Sequence, residues 1–246
     1  MVAREILRVR NYRALWRMAR VYPEPGQAVR RYFLGRGDYP YRCPVRTPAG
    51  TVAPTLYSSH DMFTVNEIFC REDYRSEPGV RAVVDVGSNI GLSALYFLTR
   101  EPGCHCLLYE PVPRNVERLK LNLAEYAERY TLHESAVAAA PGPVSFGVED
   151  TGRYGGIGVA TGRTIELSSV GINDVLHDAL EKHERIDVLK IDTEGTELEL
   201  LAAVRPELLA RVGAVYLETG ERPGPVLDTF STSFRNDTLV LTNRAT

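Results

Sequence analysis

From residue 81 onward, short apolar runs alternate with amphipathic helical segments, and this alternation constrains the fold more than any other feature. The runs span residues 82–86, 104–109, 187–191 and 214–217. Helical periodicity marks residues 116–123, 172–180 and 197–204. Continuous apolar runs of strand length are typical of parallel strands covered on both faces. The pattern therefore predicts an open, mostly parallel α/β sheet.

Residues 143–168 interrupt this alternation. They are rich in glycine and contain two short segments of β-like composition, residues 144–148 and 164–167. Glycine-rich sequence between periodic segments is typical of loops and irregular connections. We therefore expect an insertion near the rim of the sheet.

The first part of the chain has a different pattern. It contains a helical pattern at residues 3–21 and a loop-rich stretch at 23–50. A hairpin pattern at 41–56 and a short helical pattern at 61–75 follow. We predict two domains on this basis. Residues 1–78 form an N-terminal extension of helix, loop and hairpin, and residues 79–246 form the α/β domain.

Charge is divided unevenly between these parts. Residues 1–46 hold eleven arginines against three acidic residues, a local charge of +8, which leaves −11 for the rest of a chain whose net charge is −3. The small total gives no whole-chain reason to expect a nucleic acid or another polyanion as partner. We interpret the basic arm as a lid or packing element on the substrate side of the molecule.

The cysteines and the apolar segments indicate the cellular compartment in which the protein is expected. The four cysteines contain no C-x-x-C pair, and Cys104 and Cys106 alternate in one strand, so we expect buried free thiols. The first 25 residues lack the apolar core of a signal peptide, and no run approaches the ~18 apolar residues of a membrane span. A reducing, cytoplasmic location without membrane contact follows as the expectation.

The strongest local signal is the turn after the first apolar strand. Residues 83–91 read Val-Val-Asp-Val-Gly-Ser-Asn-Ile-Gly and lead into a helical segment at 92–100. Glycine lets a ligand lie against the backbone, since it has no Cβ and tolerates positive φ. The next strand ends in Glu110, 25 residues after Asp85, where an acid can accept hydrogen bonds from ribose hydroxyls. Together these features predict a nucleoside-containing ligand at the carboxyl edge of the sheet.

The spacing of the glycines distinguishes between nucleoside cofactors. With Gly87 in first place, the dinucleotide fingerprint requires glycine at two positions where this chain has Asn89 and Leu92. Asp85 would repel a pyrophosphate and attract an ammonium group. This favours S-adenosylmethionine, whose methionyl part carries such a group.

A third cluster follows a later strand. Residues 186–197 read Ile-Asp-Val-Leu-Lys-Ile-Asp-Thr-Glu-Gly-Thr-Glu, and period-two alternation points Lys190, Asp192 and Glu194 to one side. An acid at the end of an apolar strand lies where a reacting group is expected, and this favours Asp192 as the catalytic residue. Glu194 and Glu197 have an alternative role as solvated charges at the start of a helix, where the helix dipole favours them.

The order of these motifs resembles that of the FkbM-type methyltransferases, a branch of the class I S-adenosylmethionine-dependent enzymes. The resemblance covers about residues 40–220, and it rests on the motifs at residues 85–91, 109–111, 172–174 and 189–197. It implies a Rossmann-like sheet of seven strands, mostly parallel with an antiparallel last pair. It also implies methyl transfer to a hydroxyl of a sugar, cyclitol, polyketide or other secondary-metabolite intermediate, in natural-product biosynthesis such as that of antibiotics.

The same resemblance implies roles for individual residues. The methionyl end would be held by Asp85, Gly87, Ser88, Asn89 and Gly91. Glu110 would bind the ribose, Ser135 and Ala136 the adenine, and Asp192 would also border the cofactor. Asn173 stands where the family pattern leads us to expect an acid.

Transfer to an alcohol also requires that the hydroxyl proton be removed. A general base or a divalent cation can do this. We assign the role to Asp192, either as base or, with Glu218, as a ligand of Mg²⁺, and name Glu194 and Glu218 as helpers. His60 is a second candidate base, with a polar loop role as its alternative. The sequence leaves metal dependence open.

Two other functional classes remain open from the sequence. An NAD-dependent oxidoreductase would use Glu110 equally well but lacks the glycines described above. A non-catalytic nucleotide- or RNA-binding protein would use the arginine-rich arm.

Overall fold

The computed structural model describes residues 16–148, 155–157, 163–224 and 228–245. The chain divides into two compact units, with the boundary between Arg75 and Ser76. Most of the helix expected at residues 3–21 lies outside the described residues, which begin within a helical segment at 16–21. The assignment of residues 1–78 to a lid or substrate side stays a prediction.

The first unit combines short helices with two small antiparallel strand pairs. Its elements are α1 (Pro25–Leu34), β1 (Tyr41–Arg42), β2 (Val45–Thr47), β3 (Gly50–Val52), β4 (Thr55–Leu56) and α2 (Ser59–Val65), which continues as a π-helical turn (Asn66–Arg71). β1 pairs with β4 and β2 with β3, so the hairpin expected at 41–56 is present. α2 begins at a capping box, in which the Ser58 hydroxyl accepts from the backbone N–H of Asp61 and the Asp61 carboxylate accepts from that of Ser58.

The second unit contains the α/β pattern. Its strands are β5 (Ala82–Val86), β6 (His105–Tyr109), β7 (Tyr130–His133), β8 (Ala136–Ala138), β9 (Gly142–Val148), β10 (Gly155–Ile157), β11 (Arg163–Gly171), β12 (Ile186–Ile191), β13 (Val212–Glu218), β14 (Phe230–Arg235) and β15 (Thr238–Asn243). Its helices are α3 (Leu92–Arg100), α4 (Pro113–Asn122), α5 (Ile172–Lys182), α6 (Glu197–Ala203) and α7 (Pro206–Leu209), with a 3₁₀ segment at Ala124–Arg129. The four predicted strands are confirmed to within two residues at each end.

In the described part of the second unit, seven strands form the central sheet, in the order β14-β15-β13-β12-β5-β6-β7. β5, β6, β7, β12 and β13 are parallel, whereas β15 is antiparallel to both β13 and β14. The expected class I methyltransferase architecture with an antiparallel last pair is therefore confirmed. The strand order reverses between β5 and β12, and in open α/β sheets ligands bind at the carboxyl end of such a switch point.

The core explains why the central strands read as uninterrupted apolar runs. The side chains of β5 are buried on both faces of the sheet, and most of those of β6, β12 and β13 are too. One cluster joins the sheet to α5, α6 and α7 through residues such as Leu176, Leu189 and Leu201. At roughly 25 cal/mol per Å² of apolar surface, such burial dominates the stability of the unit.

The glycine-rich insertion contributes to a second, smaller sheet. The order of its strands in the described residues is β10-β9-β11-β8. The two segments of β-like composition lie in β9 and β11, which pair antiparallel, and β8 pairs parallel with the end of β11. β8 begins soon after β7, so this sheet starts beside the carboxyl end of the central sheet.

The remaining global expectations concern thiols and membranes. All four cysteines are buried and free, and the sulfur atoms of Cys104, which directly precedes β6, and Cys106 lie 3.8 Å apart. No helix in the described ranges combines the length and apolar character needed to cross a bilayer.

Candidate functional site

The glycine turn at the end of β5 packs directly against the end of β12. Gly87 has a φ of +80°, and a Cβ placed on it would lie 1.9 Å from the carbonyl oxygen of Asp192. Any side chain would therefore collide with backbone, which explains the glycine physically. Asn89 and Gly91 also have positive φ, so the turn folds back before α3 begins.

Hydrogen bonds to β6 hold this turn. The backbone N–H groups of Gly87 and Ser88 both donate to the carbonyl of Tyr109, each at 3.0 Å. The Ser88 hydroxyl donates to the carbonyl of Asp85 at 2.8 Å and accepts from the backbone N–H of Tyr109 at 3.2 Å. Ser88 is buried, so its side chain shapes the turn from inside.

Glu110 closes the other side of the turn. Its carboxylate accepts from the backbone N–H groups of Asn89 and Val112, both at 2.9 Å, and from the side-chain amide of Asn115 at 3.3 Å. Glu110 is only 4% exposed, and this burial raises its pKa to about 7, although the hydrogen bonds act in the opposite direction. The acid expected to bind a ribose is thus also a structural support of the turn.

Lys190, a buried residue of β12, connects this strand to the same turn. Its ammonium nitrogen lies 3.0 Å from Asp85 Oδ1, 3.3 Å from Asp192 Oδ2 and 3.0 Å from the carbonyl oxygen of Gly87. These neighbouring acids raise the pKa of Lys190 against the effect of burial, so the side chain is a buried ammonium ion.

This arrangement changes the interpretation of Asp85. Its side chain is completely buried, pairs with Lys190 and accepts from the hydroxyl of Ser93. The sequence-based expectation was that Asp85 would attract the ammonium group of a ligand. In the structure, the ammonium beside Asp85 is that of Lys190, and the contact of Asp85 with the methionyl part of a ligand stays a prediction.

Asp192 is the more accessible acid of this group. Its side chain is 28% exposed, compared with 0% for Asp85. Burial raises the pKa of Asp192, and the Lys190 ammonium opposes that effect. Glu218 ends the neighbouring β13, where Leu217 pairs with Ile191, so it lies beside Asp192 at the sheet edge and is exposed.

The alternation expected for Glu194 stops before that residue. β12 ends at Ile191, and Glu194 adopts a left-handed φ of +58°, so strand geometry does not direct its side chain. Glu194 is exposed in the connection to α6. The expectation that it shares one face with Lys190 and Asp192 is therefore wrong, because the strand has already turned.

Glu197 organises the same connection. Its buried carboxylate accepts from the backbone N–H groups of Thr193 and Gly195 at 2.8 and 3.0 Å, and from the Thr193 hydroxyl at 3.3 Å. This agrees with the alternative given above, a charge at the start of a helix, except that the charge is buried. Glu197 fixes the loop that carries Asp192 into α6.

The expected adenine residues lie at the beginning of the small sheet. Ser135 is half-buried, and Ala136 is buried in a cluster with Val112 and Phe146. The rings of Tyr109 and His133, at the ends of β6 and β7, stack with centroids 4.7 Å apart. Apolar and aromatic groups therefore surround the β6–β7 end of the edge.

Two further residues named from the sequence lie on other elements of the chain. His60 is half-buried near the start of α2 in the first unit, where its ring lies 6.3 Å from that of Phe63, and its role as a base stays a prediction. Asn173 donates to the carbonyl of Ala203 and accepts from the backbone N–H of Arg205, so it links α5 to the α6–α7 connection.

The predicted pair of metal ligands gains no support. Among the described residues, the candidate metal cluster of three or more side chains is His177, Asp178 and Glu181, all exposed on α5. Asp192 and Glu218 do not belong to it. The Lys190 ammonium stands 3.3 Å from Asp192, where its charge competes with that of a divalent cation.

Sequence reasoning missed several residues that build this site. Lys190 was expected only as part of a charged face, and the contacts of Ser93, Asn115 and Asn122 were not expected. The side-chain amide of Asn122 donates to the carbonyl of Ile90 at 3.0 Å. For Lys190 a signal existed: a lysine between Leu189 and Ile191 in an otherwise apolar strand needs a buried partner. The other three lie on helices, where sequence periodicity does not distinguish them from surface residues.

Comparison with known families identifies the group to which this edge belongs. The methyltransferase FkbM domain profile matches residues 85–231, from the end of β5 to the start of β14. The chain belongs to this family. The match covers more than half of the chain and includes the carboxyl edge described above.

Two curated relatives are similar over most of this chain. The methyltransferase sdnD of Sordaria araneosa is 30% identical over 207 residues, which cover 66% of this chain and 76% of sdnD. The AMB antimetabolite synthetase AmbE of Pseudomonas aeruginosa is 27% identical over 221 residues, which cover 72% of this chain and 10% of AmbE. The chain thus spans about a tenth of the length of that synthetase.

Solved structures that match this chain in a structural comparison include methyltransferases. An rRNA methylase from Streptococcus thermophilus has a TM-score of 0.39 at 10% identity, covering 67% of this chain and 87% of the methylase. The human methyltransferase 10 domain containing protein has a TM-score of 0.39 at 13% identity. The match covers 75% of this chain and 82% of the human chain.

Proposed function

We propose that this FkbM-family protein is an S-adenosylmethionine-dependent O-methyltransferase acting on a hydroxyl of a sugar, cyclitol or other secondary-metabolite intermediate. The observation that carries the proposal is the carboxyl edge at the switch point. There a glycine turn is held between Glu110 on one side and the Lys190–Asp192 pair on the other. Ligands of open α/β sheets bind at such an edge.

The residues present fit this cofactor in two respects. An ionised carboxylate has about four acceptor positions, and the N–H donors around Glu110 use three of them, which leaves one for a ribose hydroxyl. One ammonium, that of Lys190, faces the three acidic side chains of Asp85, Asp192 and Glu218, so acidic groups are in excess at this edge. Negative charge favours a ligand that carries a sulfonium group.

We infer the residue roles as follows. Gly87, Ser88, Asn89 and Gly91 shape the cofactor turn, Glu110 binds the ribose, and Ser135 and Ala136 border the adenine. Asp85 supports this turn through Lys190. Asp192 borders the same ligand and lies between it and the acceptor.

The chemistry requires only one proton to be removed by the protein. When bound, S-adenosylmethionine supplies the methyl group together with its leaving group. Asp192 would take the proton from the acceptor hydroxyl, because it is the partly exposed acid at the edge and burial raises its pKa. Glu194 and Glu218 would assist through charge, and His60 would be the alternative base.

We propose that the reaction does not depend on Mg²⁺. The ammonium of Lys190 already compensates Asp192 from within the protein. Activity that persists after treatment with EDTA is the expected result. Loss of activity with EDTA and recovery with Mg²⁺ would show that Asp192 and Glu218 bind a metal after all.

The acceptor class rests on family membership and on the relatives. One relative is named as a methyltransferase and the other as an antimetabolite synthetase. We therefore propose a small-molecule acceptor such as a glycoside, cyclitol or polyketide, and a cytoplasmic site of action. Neither a nucleic acid nor a membrane enters the proposal.

Calorimetry tests the cofactor assignment first. The protein is titrated with S-adenosylmethionine and, in parallel, with NAD; binding of the former and not of the latter is expected. Tight binding of NAD alone would favour the oxidoreductase, and binding of RNA in the absence of either would favour the nucleotide-binding alternative. A screen of glycosylated and cyclitol intermediates, with mass detection of one added methyl group, then tests the acceptor class.

A further inference from the structure

The ammonium of Lys190 has three N–H donors and three acceptors at hydrogen-bond or ion-pair distance. One acceptor belongs to β5, one to the glycine turn and one to the end of β12: Asp85, Gly87 and Asp192, at 3.0, 3.0 and 3.3 Å. Lys190 is itself 2% exposed. It therefore connects the cofactor turn to the residue assigned above as the base, entirely from inside the protein.

We propose that Lys190 is a positioning residue that fixes the location and charge of Asp192 relative to the glycine turn. This inference rests on the proposed function for its consequence in catalysis, but not for the contact itself. Lys190 does not touch the acceptor, because it is buried below the edge. It acts through Asp192.

The charges around Asp192 make this role necessary. Besides Lys190, the groups that face Asp192 are the carboxylates of Asp85 and Glu197, and Glu218 faces the same lysine. Among these groups Lys190 is the cation and the others are acids. Without the ammonium, Asp192 would stand among carboxylates and take up a proton, which would make it unable to accept another from a hydroxyl.

The geometry also couples the two sides of the site. The carbonyl of Gly87 accepts from Lys190 while the carbonyl of Asp192 occupies the space beside the α-carbon of Gly87. A shift of the turn would therefore change the contacts of Lys190 with both Gly87 and Asp192. Cofactor binding and the orientation of the base are linked through one side chain.

The test follows Asp192 directly by carbon-13 NMR of its side-chain carboxyl, assigned with the variant Asp192→Asn. Because Lys190→Met alone leaves Asp85 buried without its cation, the comparison uses the double variant Asp85→Asn/Lys190→Met, which removes both charges. We expect Asp192 to titrate about one pH unit higher or more in the double variant than in the wild type. Lys182→Met, an exposed lysine on α5, is the control and should leave this titration unchanged.

Unchanged titration of Asp192 in a folded double variant would overturn the proposal. If the double variant does not fold, the wild type alone decides: a slowly exchanging Lys190 ammonium signal in nitrogen-15 spectra is expected, and a rapidly exchanging one would contradict the contacts. Neither measurement needs a cofactor. Failure of the proposed function would appear separately, as wild-type protein that does not bind S-adenosylmethionine.

The consequence for catalysis is then measured on the same variants. If S-adenosylmethionine binds, the acid limb of the pH–rate profile should move upward in the double variant with the titration of Asp192. A merely structural role would lower the rate at every pH without moving this limb.

Discussion

Two buried carboxylates, one on each side of the glycine turn, are stabilised in different ways. Glu110, at the end of β6, accepts from uncharged N–H donors, and its pKa is raised to about 7. Asp85, at the end of β5, pairs with the ammonium of Lys190. Hydrogen bonds from uncharged donors do not offset the effect of burial on the pKa of Glu110, whereas Asp85 has a cation 3.0 Å from its carboxylate.

Because of this difference, the two sides of the carboxyl edge are expected to have different roles in the site. The β6 side contains an acid that can change its protonation near neutral pH, and the β12 side contains a fixed charge network that extends to Asp192. In the proposed reaction, the first side binds a neutral sugar ring and the second manages charge at the reacting centre. Four substitutions test this contrast.

The largest effect is expected from Lys190→Met. It leaves Asp85 buried without its cation, and removing one partner of a buried ion pair typically costs about 3–5 kcal/mol. Urea unfolding at pH 7 measures the loss, with Lys182→Met as control. A change below about 1 kcal/mol would mean that the network does not compensate Asp85.

Glu110→Gln tests the other side through pH. The folded pKa of Glu110, about 7, lies above its ordinary value of 4.5, so the folded state keeps a proton that the unfolded chain loses. Stability from this group is complete below pH 4.5 and is lost as pH rises through 7, by about 3 kcal/mol. The glutamine variant should lack this decline in unfolding free energy, while Glu117→Gln, on the exposed face of α4, should retain it.

Gly87→Ala tests the junction between the two sides. The added Cβ would lie 1.9 Å from the carbonyl of Asp192, in a backbone conformation that alanine disfavours. We expect a loss of about 2 kcal/mol or more in unfolding free energy, together with loss of cofactor binding. Gly103→Ala has open space around its Cβ and serves as control. Equal effects of both substitutions would show that the close approach is unimportant.

The smallest effect is expected from Asp192→Asn. Loss of one partly exposed charge should weaken binding of the cationic S-adenosylmethionine about tenfold, or about 1.4 kcal/mol, and binding of the uncharged sulfide product less. Calorimetry with both ligands measures the ratio, and Asp178→Asn on α5 is the control. An equal loss for both ligands would mean that Asp192 acts by contact and not by charge.

Most of the central sheet was predictable because its inner strands are buried on both faces and contain continuous apolar runs. The positions of β7, β14 and β15 were not predicted; the half-buried side chains of the edge strand β7 give no such run. Within the site, Gly87, Glu110 and Asp192 were recognisable from their positions at strand ends. The orientation of Glu194 was not, because it depends on the residue at which β12 stops.

The sequence by itself determined the α/β class, the family and the positions of the charged groups along the chain, because periodicity and motif order are local properties. Only the tertiary structure decided which charges meet. Asp85 and Lys190 are 105 residues apart and form a contact because β5 and β12 are adjacent in the sheet, Asp85 being the register partner of Lys190. That pairing makes Asp85 an internal support and leaves Asp192 as the acid at the edge.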